Sequence, residues 1–292
     1  MRTIDARSAA LRIAHVMSAT CIVTYRQGAG DARRANLHAV LARLARSPAI
    51  ETIVVEQDAA PRLPEALPHP ASRRVFVHNP GAFNKAWGFN VGARVARGDV
   101  LAFLDADVLI GESLDRACAL CAQGHAVVKP YVRLVDLTAR ETRAVVAGAG
   151  DMPVLAPARI GRDAIGESLV LCGGLFVIRR AALVHLGGFD ERFVGWGGED
   201  DAMTHKVERA RLSCIELDDE IAWHLFHPRP AVLTRRHAHY AANVALLEAY
   251  RHYRDDELAR LAEVQWQIGG NPRKYAAHDA VPRRPELAGD VQ

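Results

Sequence analysis

Three groups of side chains in this sequence have the types and spacing to do chemistry. Asp105 and Asp107 stand one residue apart at the end of the apolar run Val100-Leu101-Ala102-Phe103-Leu104. Open α/β sheets bind ligands beyond the carboxyl ends of their strands. Two carboxylates at such an end form a hard, anionic oxygen site that suits Mg²⁺ or Mn²⁺ bridging phosphate oxygens. One carboxylate would take the metal and the other a ribose or a bound water.

The second group is Gly195-Trp196-Gly197-Gly198-Glu199-Asp200-Asp201. Glycines around a Trp let the backbone turn tightly and approach a ligand. The indole offers a flat apolar face, which suits stacking on a sugar ring. Three carboxylates then open a helix, where negative charge favours the positive end of the helix dipole. Helix capping alone needs one carboxylate and no Trp-Gly-Gly before it. A carboxylate here can serve as a general base toward a sugar hydroxyl, with its neighbour holding other hydroxyls. The third group is His224 and His227, in Trp-His-Leu-Phe-His. On an extended strand, residues three apart face opposite sides. One irregular turn would bring both imidazoles inward, where a neutral imidazole can complete a metal site.

The elements that must position these groups alternate early in the chain. Residues 19–25 read as a strand and 33–46 as a helix, with Leu37, Val40, Leu41 and Leu44 on one face. Residues 50–56 read as a second strand, followed by a loop holding Pro61, Pro64, Pro68 and Pro70. A short strand at 75–77, a helix at 84–97 and a buried strand at 99–104 follow. This order predicts an α/β fold with a mostly parallel sheet and helices on both faces. The second half reads as a strand at 169–178 broken by Gly173-Gly174, a short helix at 180–186, a glycine-rich loop at 187–198, a helix at 199–209 and strands at 213–217 and 221–226. Beyond Pro228 the spacing turns helical from about 231, with a loose tail after Pro272.

Composition narrows the class. Half of the 292 residues are hydrophobic, and 37 basic against 34 acidic residues leave a formal charge of +3. That is too weak a balance to argue for nucleic acid. No targeting segment or apolar run of membrane-spanning length is visible, so the chain reads as cytoplasmic, with docking at the inner membrane face as an option. Five scattered cysteines suggest reduced thiols. Cys118-x-x-Cys121 lies in a helical Ala/Leu stretch without a second pair, which favours buried thiols over zinc.

Several stretches, in order, resemble a known family. They are Thr24-Tyr25-Arg26, residues 31–37, residues 83–93 leading into Asp105 and Asp107, Gly173-Gly174, Gly187-Gly188-Phe189-Asp190, and residues 195–201. The chain resembles family 2 glycosyltransferases with a galactosyltransferase-type C-terminal region, similar to the catalytic domains of β-1,4-galactosyltransferases and chondroitin polymerases. The resemblance runs from about Ile22 to Arg229. It implies a GT-A fold over residues 1–228, with a donor half at about 15–130, an acceptor half at about 165–228, and a helical extension and tail at 229–292.

By the same resemblance, Thr24, Tyr25, Arg26 and Asp58 fall on the nucleotide side, and Asn84 and Lys85 near the diphosphate. Asp107 falls on the metal, with Asp105 beside the ribose and metal. Gly174, Trp196, Gly198 and Glu199 fall around the sugars, and Asp200 on the catalytic base. His227 lies where galactosyltransferases place a metal-binding His, and His224 where they place a sulfur ligand. The first two strands depart from the family's usual endings, so Glu56 or Gln57 competes with Asp58 for the uracil. Position 202, an Asp in the family, is Ala.

The implied activity is inverting transfer of a hexose (galactose, N-acetylgalactosamine or glucose) from a UDP-sugar, with Mn²⁺ or Mg²⁺. The acceptor is a glycan, a lipid-linked glycan or a small molecule. A retaining N-acetylgalactosaminyl-type transferase, which usually has Asn at the position of Asp200, is the alternative. A non-catalytic nucleotide-sugar-binding module and a nucleotidyltransferase are weaker ones. The C-terminal helices, with Arg235, Arg236, Arg251 and Arg254, are the place where a membrane or homo-oligomer contact would form.

Overall fold

The computed structural model describes residues 2–4, 18–67, 69, 72–153, 161, 171, 174–217, 220–228 and 238–276. The first half lays down β1 (Arg2–Ile4), β2 (Ala19–Tyr25), α1 (Ala32–Leu44), β3 (Ile50–Asp58), β4 (Ser72–His78), α2 (Lys85–Val95) and β5 (Val100–Asp105). The middle adds β6 (Val108–Leu109), α3 (Ser113–Ala122), β7 (Val127–Lys129), β8 (Arg133–Asp136) and α4 (Ala139–Ala147). Then come β9 (Leu175–Arg179), α5 (Arg180–His185), α6 (Glu199–Arg209), β10 (Cys214–Leu217), β11 (Ile221–His224), α7 (Tyr240–His252) and α8 (Asp255–Ile268).

The main sheet has the order β1-β10-β7-β9-β5-β2-β3-β4. All its pairings are parallel except those of β9, which runs antiparallel between β5 and β7. Every residue of β2 is buried, as a parallel strand covered on both faces requires. Alternate side chains of one strand feed two cores. Val100, Ala102 and Leu104 of β5 pack with Leu37 and Leu41 of α1 and Leu114 of α3. Leu101 and Phe103 pack on the other face with Trp87 and Phe89 of α2, Leu183 of α5 and Met203 of α6. The predicted layering of helices on both faces is therefore observed.

Helix α2 sits unusually close to the sheet. A Cβ on Gly88 would lie 2.3 Å from Gln57 Nε2 and 2.6 Å from Thr24 Cγ2, and one on Gly92 would lie 2.3 Å from Ile22 Cγ2. Two glycines at i and i+4 clear one stripe of the helix, so its N-terminus rests on the carboxyl ends of β2 and β3.

A second sheet of three strands, in the order β6-β11-β8, stands beside the end of β5. Strand β11 pairs antiparallel with β6 and parallel with β8. Residues 127–147 show no clear periodicity in the sequence, and they supply β7, β8 and α4. Of the strand expected at 169–178, residues 175–178 are observed within β9; residues 169, 170, 172 and 173 lie outside the described residues.

Helices α7 and α8 close over the α6 side through a third cluster of Phe193, Ala202, Tyr250 and Leu258. The chain after Pro272 does not trail away at once. Trp87 Nε1 donates to the carbonyl of Asn271 at 2.8 Å, Asn84 Nδ2 donates to Tyr275 Oη at 2.9 Å, and the Tyr275 ring meets Trp87 edge-on at 4.8 Å. Lys274 pairs with Glu191 at 2.9 Å. These contacts strap residues 271–276 across α2, and a Tyr and a Lys are the reason. Of the expected surface arginines, Arg251 pairs with Glu248 and Arg254 with Asp256 and Glu257; Arg235 and Arg236 lie outside the described residues.

Cys118 and Cys121 lie on the buried face of α3, in the core. Burial pushes the Cys121 thiol up to about 12 and the Cys118 thiol well above its ordinary value. Both are structural thiols, as their helical setting predicts. No helix among the described residues is long and apolar enough to cross a membrane.

Candidate active site

Strand β5 ends in Asp105, and the chain turns there into β6. The Asp105 amide donates to the carbonyl of Gly174 at 2.9 Å. Gly174 has φ +130, and a Cβ on it would meet Val108 Cγ2 at 2.8 Å. Only glycine fits here without strain, which accounts for one member of the Gly173-Gly174 pair.

The two aspartates of the Asp-x-Asp pair diverge. Asp107 faces the histidines: Oδ2 lies 3.1 Å from His227 Nε2, and Oδ1 lies 3.6 Å from His224 Nε2. One ligand atom from each of the three residues lies within 4.8 Å of the others. The small sheet builds this arrangement. Asp107 immediately precedes β6, His224 ends β11 opposite Val108, and the Leu225 amide donates to the Asp107 carbonyl at 2.7 Å. The chain leaves strand geometry after His224, and that irregular turn brings His227 to the same side; the two rings are 5.8 Å apart.

The donor chemistry fits a divalent cation. His224 Nδ1 contacts Asp136 at 2.8 Å and His227 Nδ1 contacts the Pro228 carbonyl at 3.2 Å. With a cation bound, a proton on each Nδ1 would donate outward and leave both Nε2 lone pairs to the metal; without one, His227 Nε2 donates to Asp107. Burial acts to raise the Asp107 carboxyl, but the His227 hydrogen bond and the two imidazoles outweigh it and bring it down to about 2. Asp107 is an anion in this setting.

Asp105 is not part of this triad; it faces Lys85. Lys85 Nζ lies 3.2 Å from Asp105, 3.2 Å from Asp200 and 3.6 Å from Glu199. One ammonium thus joins the Asp-x-Asp end of the sheet to the first turn of α6. Burial pushes the Asp105 carboxyl up; Lys85 opposes this, and Asp107 and Glu199 reinforce it. Burial likewise holds the Asp200 carboxyl well above its ordinary value, against the pull of Lys85 and with help from Glu199 and Asp105. Three carboxylates sharing one ammonium carry an excess negative charge that a cationic or proton-bearing ligand would relieve.

Gly198, with φ +95, starts α6 and aims Glu199 and Asp200 at this cluster. A Cβ on Gly198 would strike the Phe193 ring at 2.7 Å. Trp196 is 50% exposed and stacks on Tyr240 at 5.8 Å with its outer face open. The loop is held from both sides. The Gly195 amide donates to the Phe83 carbonyl at 2.8 Å. Asn243 of α7 donates to the carbonyls of Val194 and Trp196, each at 3.0 Å.

On the other side of the sheet end, the residues expected near a nucleotide divide into committed and open groups. Arg26 spans three carbonyls, those of Gln57, Asn79 and Gly81, at 2.8, 2.6 and 2.5 Å. Thr24 and Tyr25 are buried, and the Tyr25 hydroxyl donates to Gln27. Asn84 is also buried, capping α2 through Trp87 N and bonding Glu191 and Tyr275. Its amide is occupied; what it presents to the site is its neighbour Lys85. Glu56 accepts from the amides of Arg62 and Leu63, and Gln57 bonds Asn84 and Asn79. Both are fully buried. Asp58 accepts from Ala59 N at 2.8 Å and remains partly open at the end of β3.

Four contributors carried no signal in the sequence: Asp136, Tyr240, Asn243 and Tyr275. Asp136 follows Leu134-Val135 at a strand end, the pattern that marks Asp105, but on a much shorter apolar run. The other three lie on helices or turns whose neighbours are set only by tertiary packing.

Comparison with known proteins gives the class. Solved structures with the same architecture include GalNAc-T7 with UDP, GalNAc and Mn²⁺, at TM-score 0.54 and 14% identity over 85% of this chain and 55% of that one. They also include the mannosyltransferase PcManGT from Pyrobaculum calidifontis with GDP-Man and Mn²⁺, at TM-score 0.52 and 20% identity over 87% and 71%. The fold is that of the GT-A glycosyltransferases. Residues 20–187, more than half of the chain, match glycosyl transferase family 2, and residues 166–228 match the family described as N-terminal domain of galactosyltransferase. The chain belongs to glycosyl transferase family 2, and it is an enzyme of that class.

Among curated relatives, chondroitin sulfate N-acetylgalactosaminyltransferase 1 of Mus musculus is 27% identical over 158 residues, which are 53% of this chain and 29% of that protein. Chondroitin sulfate N-acetylgalactosaminyltransferase 2 of Homo sapiens is 29% identical over 150 residues, 50% and 27% of the two chains. The match thus spans less than a third of the length of these relatives.

Proposed function

We propose that the protein transfers a hexose from a UDP-sugar to an acceptor hydroxyl with inversion at the anomeric carbon, using a divalent cation held by Asp107, His224 and His227. The observation that carries this is the convergence of those three ligand atoms within 4.8 Å beside the Lys85 cluster of Asp105, Glu199 and Asp200. A bound cation supplies Lewis-acid stabilisation of the leaving diphosphate. The two imidazoles favour Mn²⁺ over Mg²⁺.

The chain's own residues divide the remaining work. Asp58, the open carboxylate of its segment, accepts from the uracil imide, and Arg26 shapes that pocket from its three carbonyls. Lys85 offers an ammonium to the diphosphate and holds the base in place. Trp196 stacks on the acceptor sugar, and Glu199 holds acceptor hydroxyls. Asp200 takes the proton of the attacking hydroxyl as its oxygen bonds to the anomeric carbon and the bond to UDP breaks. A carboxylate raised by burial and by like charges is a stronger base, which suits this role.

The names of the curated relatives favour N-acetylgalactosamine as the donor sugar over galactose and glucose. The test is a panel of the three UDP-sugars with Mn²⁺ and a set of saccharide acceptors, read by UDP release and by NMR of the product. A product of inverted configuration is expected. A product of retained configuration would overturn Asp200 as the base and support the retaining alternative.

A further inference from the structure

The small three-stranded sheet brings a fourth polar side chain to the metal triad. Strands β8 and β11 run parallel with Asp136 directly opposite His224. The Leu137 amide donates to the His224 carbonyl at 2.8 Å and locks that register. Asp136 Oδ1 then lies 2.8 Å from His224 Nδ1. We infer that Asp136 is a positioning residue for the metal site: it holds His224 as the Nδ1–H tautomer, with Nε2 aimed at the position shared with Asp107 and His227. This rests on the reading of that triad as a divalent-cation site.

An imidazole can bind metal through Nε2 only when the proton sits on Nδ1, and a strong acceptor on the Nδ1 side selects that tautomer and fixes the ring plane. His227 has a different group on its Nδ1 side, the carbonyl of Pro228 at 3.2 Å. A backbone carbonyl cannot be lost by substitution, whereas Asp136 can. The His224 side chain is 12% exposed and has little room to find another orientation, while the Asp136 carboxylate is 50% exposed. The tautomer of His224, read against His227 in the same protein, separates an effect on the histidine from one on folding.

Removing such a partner typically lowers metal affinity 10–100-fold. The partial exposure of Asp136 places the expected loss for Asp136→Ala nearer tenfold. Asp136→Asn keeps an acceptor oxygen and should lose less. The experiment titrates Mn²⁺ into the full chain and follows free Mn²⁺ by EPR, for wild type, Asp136→Ala, Asp136→Asn and Asp107→Ala. In parallel, long-range ¹H–¹⁵N NMR of the metal-free proteins reads the tautomer of each histidine.

The expected result is the order wild type, Asp136→Asn, Asp136→Ala, with Asp107→Ala weakest. His224 should shift to a mixed tautomer in Asp136→Ala while His227 stays unchanged. Wild-type affinity in Asp136→Ala with an unchanged His224 signature overturns the inference while leaving the metal site intact. Absence of Mn²⁺ binding in wild type, or equal binding by Asp107→Ala, overturns the metal reading itself.

Discussion

Replacing Asp200 by Asn changes one oxygen for an amide nitrogen and keeps the side-chain volume. The structure predicts opposite effects on rate and stability. The carboxylate is partly buried, shares Lys85 with Asp105 and Glu199, and is held well above its ordinary 3.8 by desolvation and by those two neighbours. Losing the general base should cost ~10²–10⁴-fold in kcat, which is about 3–5 kcal/mol of transition-state stabilisation. Donor affinity should hardly change, because Asp200 touches the donor only in the transition state.

Stability should stay level or rise, because a buried like-charge contact has been removed. The sign with pH follows from linkage. The folded Asp200 keeps a proton that the unfolded chain has already lost, in the window from pH 3.8 up to the raised value. Stability therefore falls as pH rises through that window, and Asp200→Asn should lose that part of the fall. Activity runs the other way: kcat should climb with pH until Asp200 is ionised. UDP-release kinetics at several pH values, with thermal unfolding alongside, test both. A variant within about threefold of wild-type kcat, or one that loses donor binding, would refute the assignment.

Lys85→Met should leave three carboxylates without their ammonium and destabilise the fold by about 3 kcal/mol, read by urea unfolding, with weaker UDP binding as a second readout. Lys206 is buried against the Gly188 carbonyl and Gln265, and burial brings its ammonium down to about 7 from 10.5. Between those pH values the unfolded chain holds a proton that the folded chain lacks. This group therefore makes stability rise with pH by about 1.4 kcal/mol per unit across that window, and Lys206→Met should flatten the rise. Tyr275→Ala removes the ring from Trp87 and the hydroxyl from Asn84. The loss should be about 2 kcal/mol, seen as a lower Tm and a red-shifted Trp emission.

The first hundred or so residues were legible because their signals are local. The apolar run of β5, the 3.6-residue spacing of α1 and the prolines after β3 each name their element without knowledge of the rest of the chain. Asp107, Asp200 and the two histidines stood out for a related reason: each lies at or within three residues of a strand end, or starts a helix, where side-chain chemistry is easy to notice. Residues 127–147 were not readable, because β7 and β8 are three and four residues long and exist through pairing with strands far along the chain. Asp136 was lost with them. The strap at 271–276 was hidden for another reason. Pro272 signals an end of helix, and nothing local says that Tyr275 will find Trp87. The divergence of Asp105 from Asp107 depends on where Lys85 stands, which only the packing of α2 against the sheet decides.

If the Asp107, His224 and His227 triad holds the cation of this site, a nucleotide diphosphate needs that cation in order to bind. Isothermal titration of UDP into the wild-type chain, with Mn²⁺ and then with EDTA, tests it directly, with Asp107→Ala as the paired control. UDP is expected to bind with Mn²⁺, to lose most of its affinity with EDTA, and to show the same loss in Asp107→Ala even when Mn²⁺ is present. Equal UDP affinity with and without metal, or full affinity in Asp107→Ala, would contradict it.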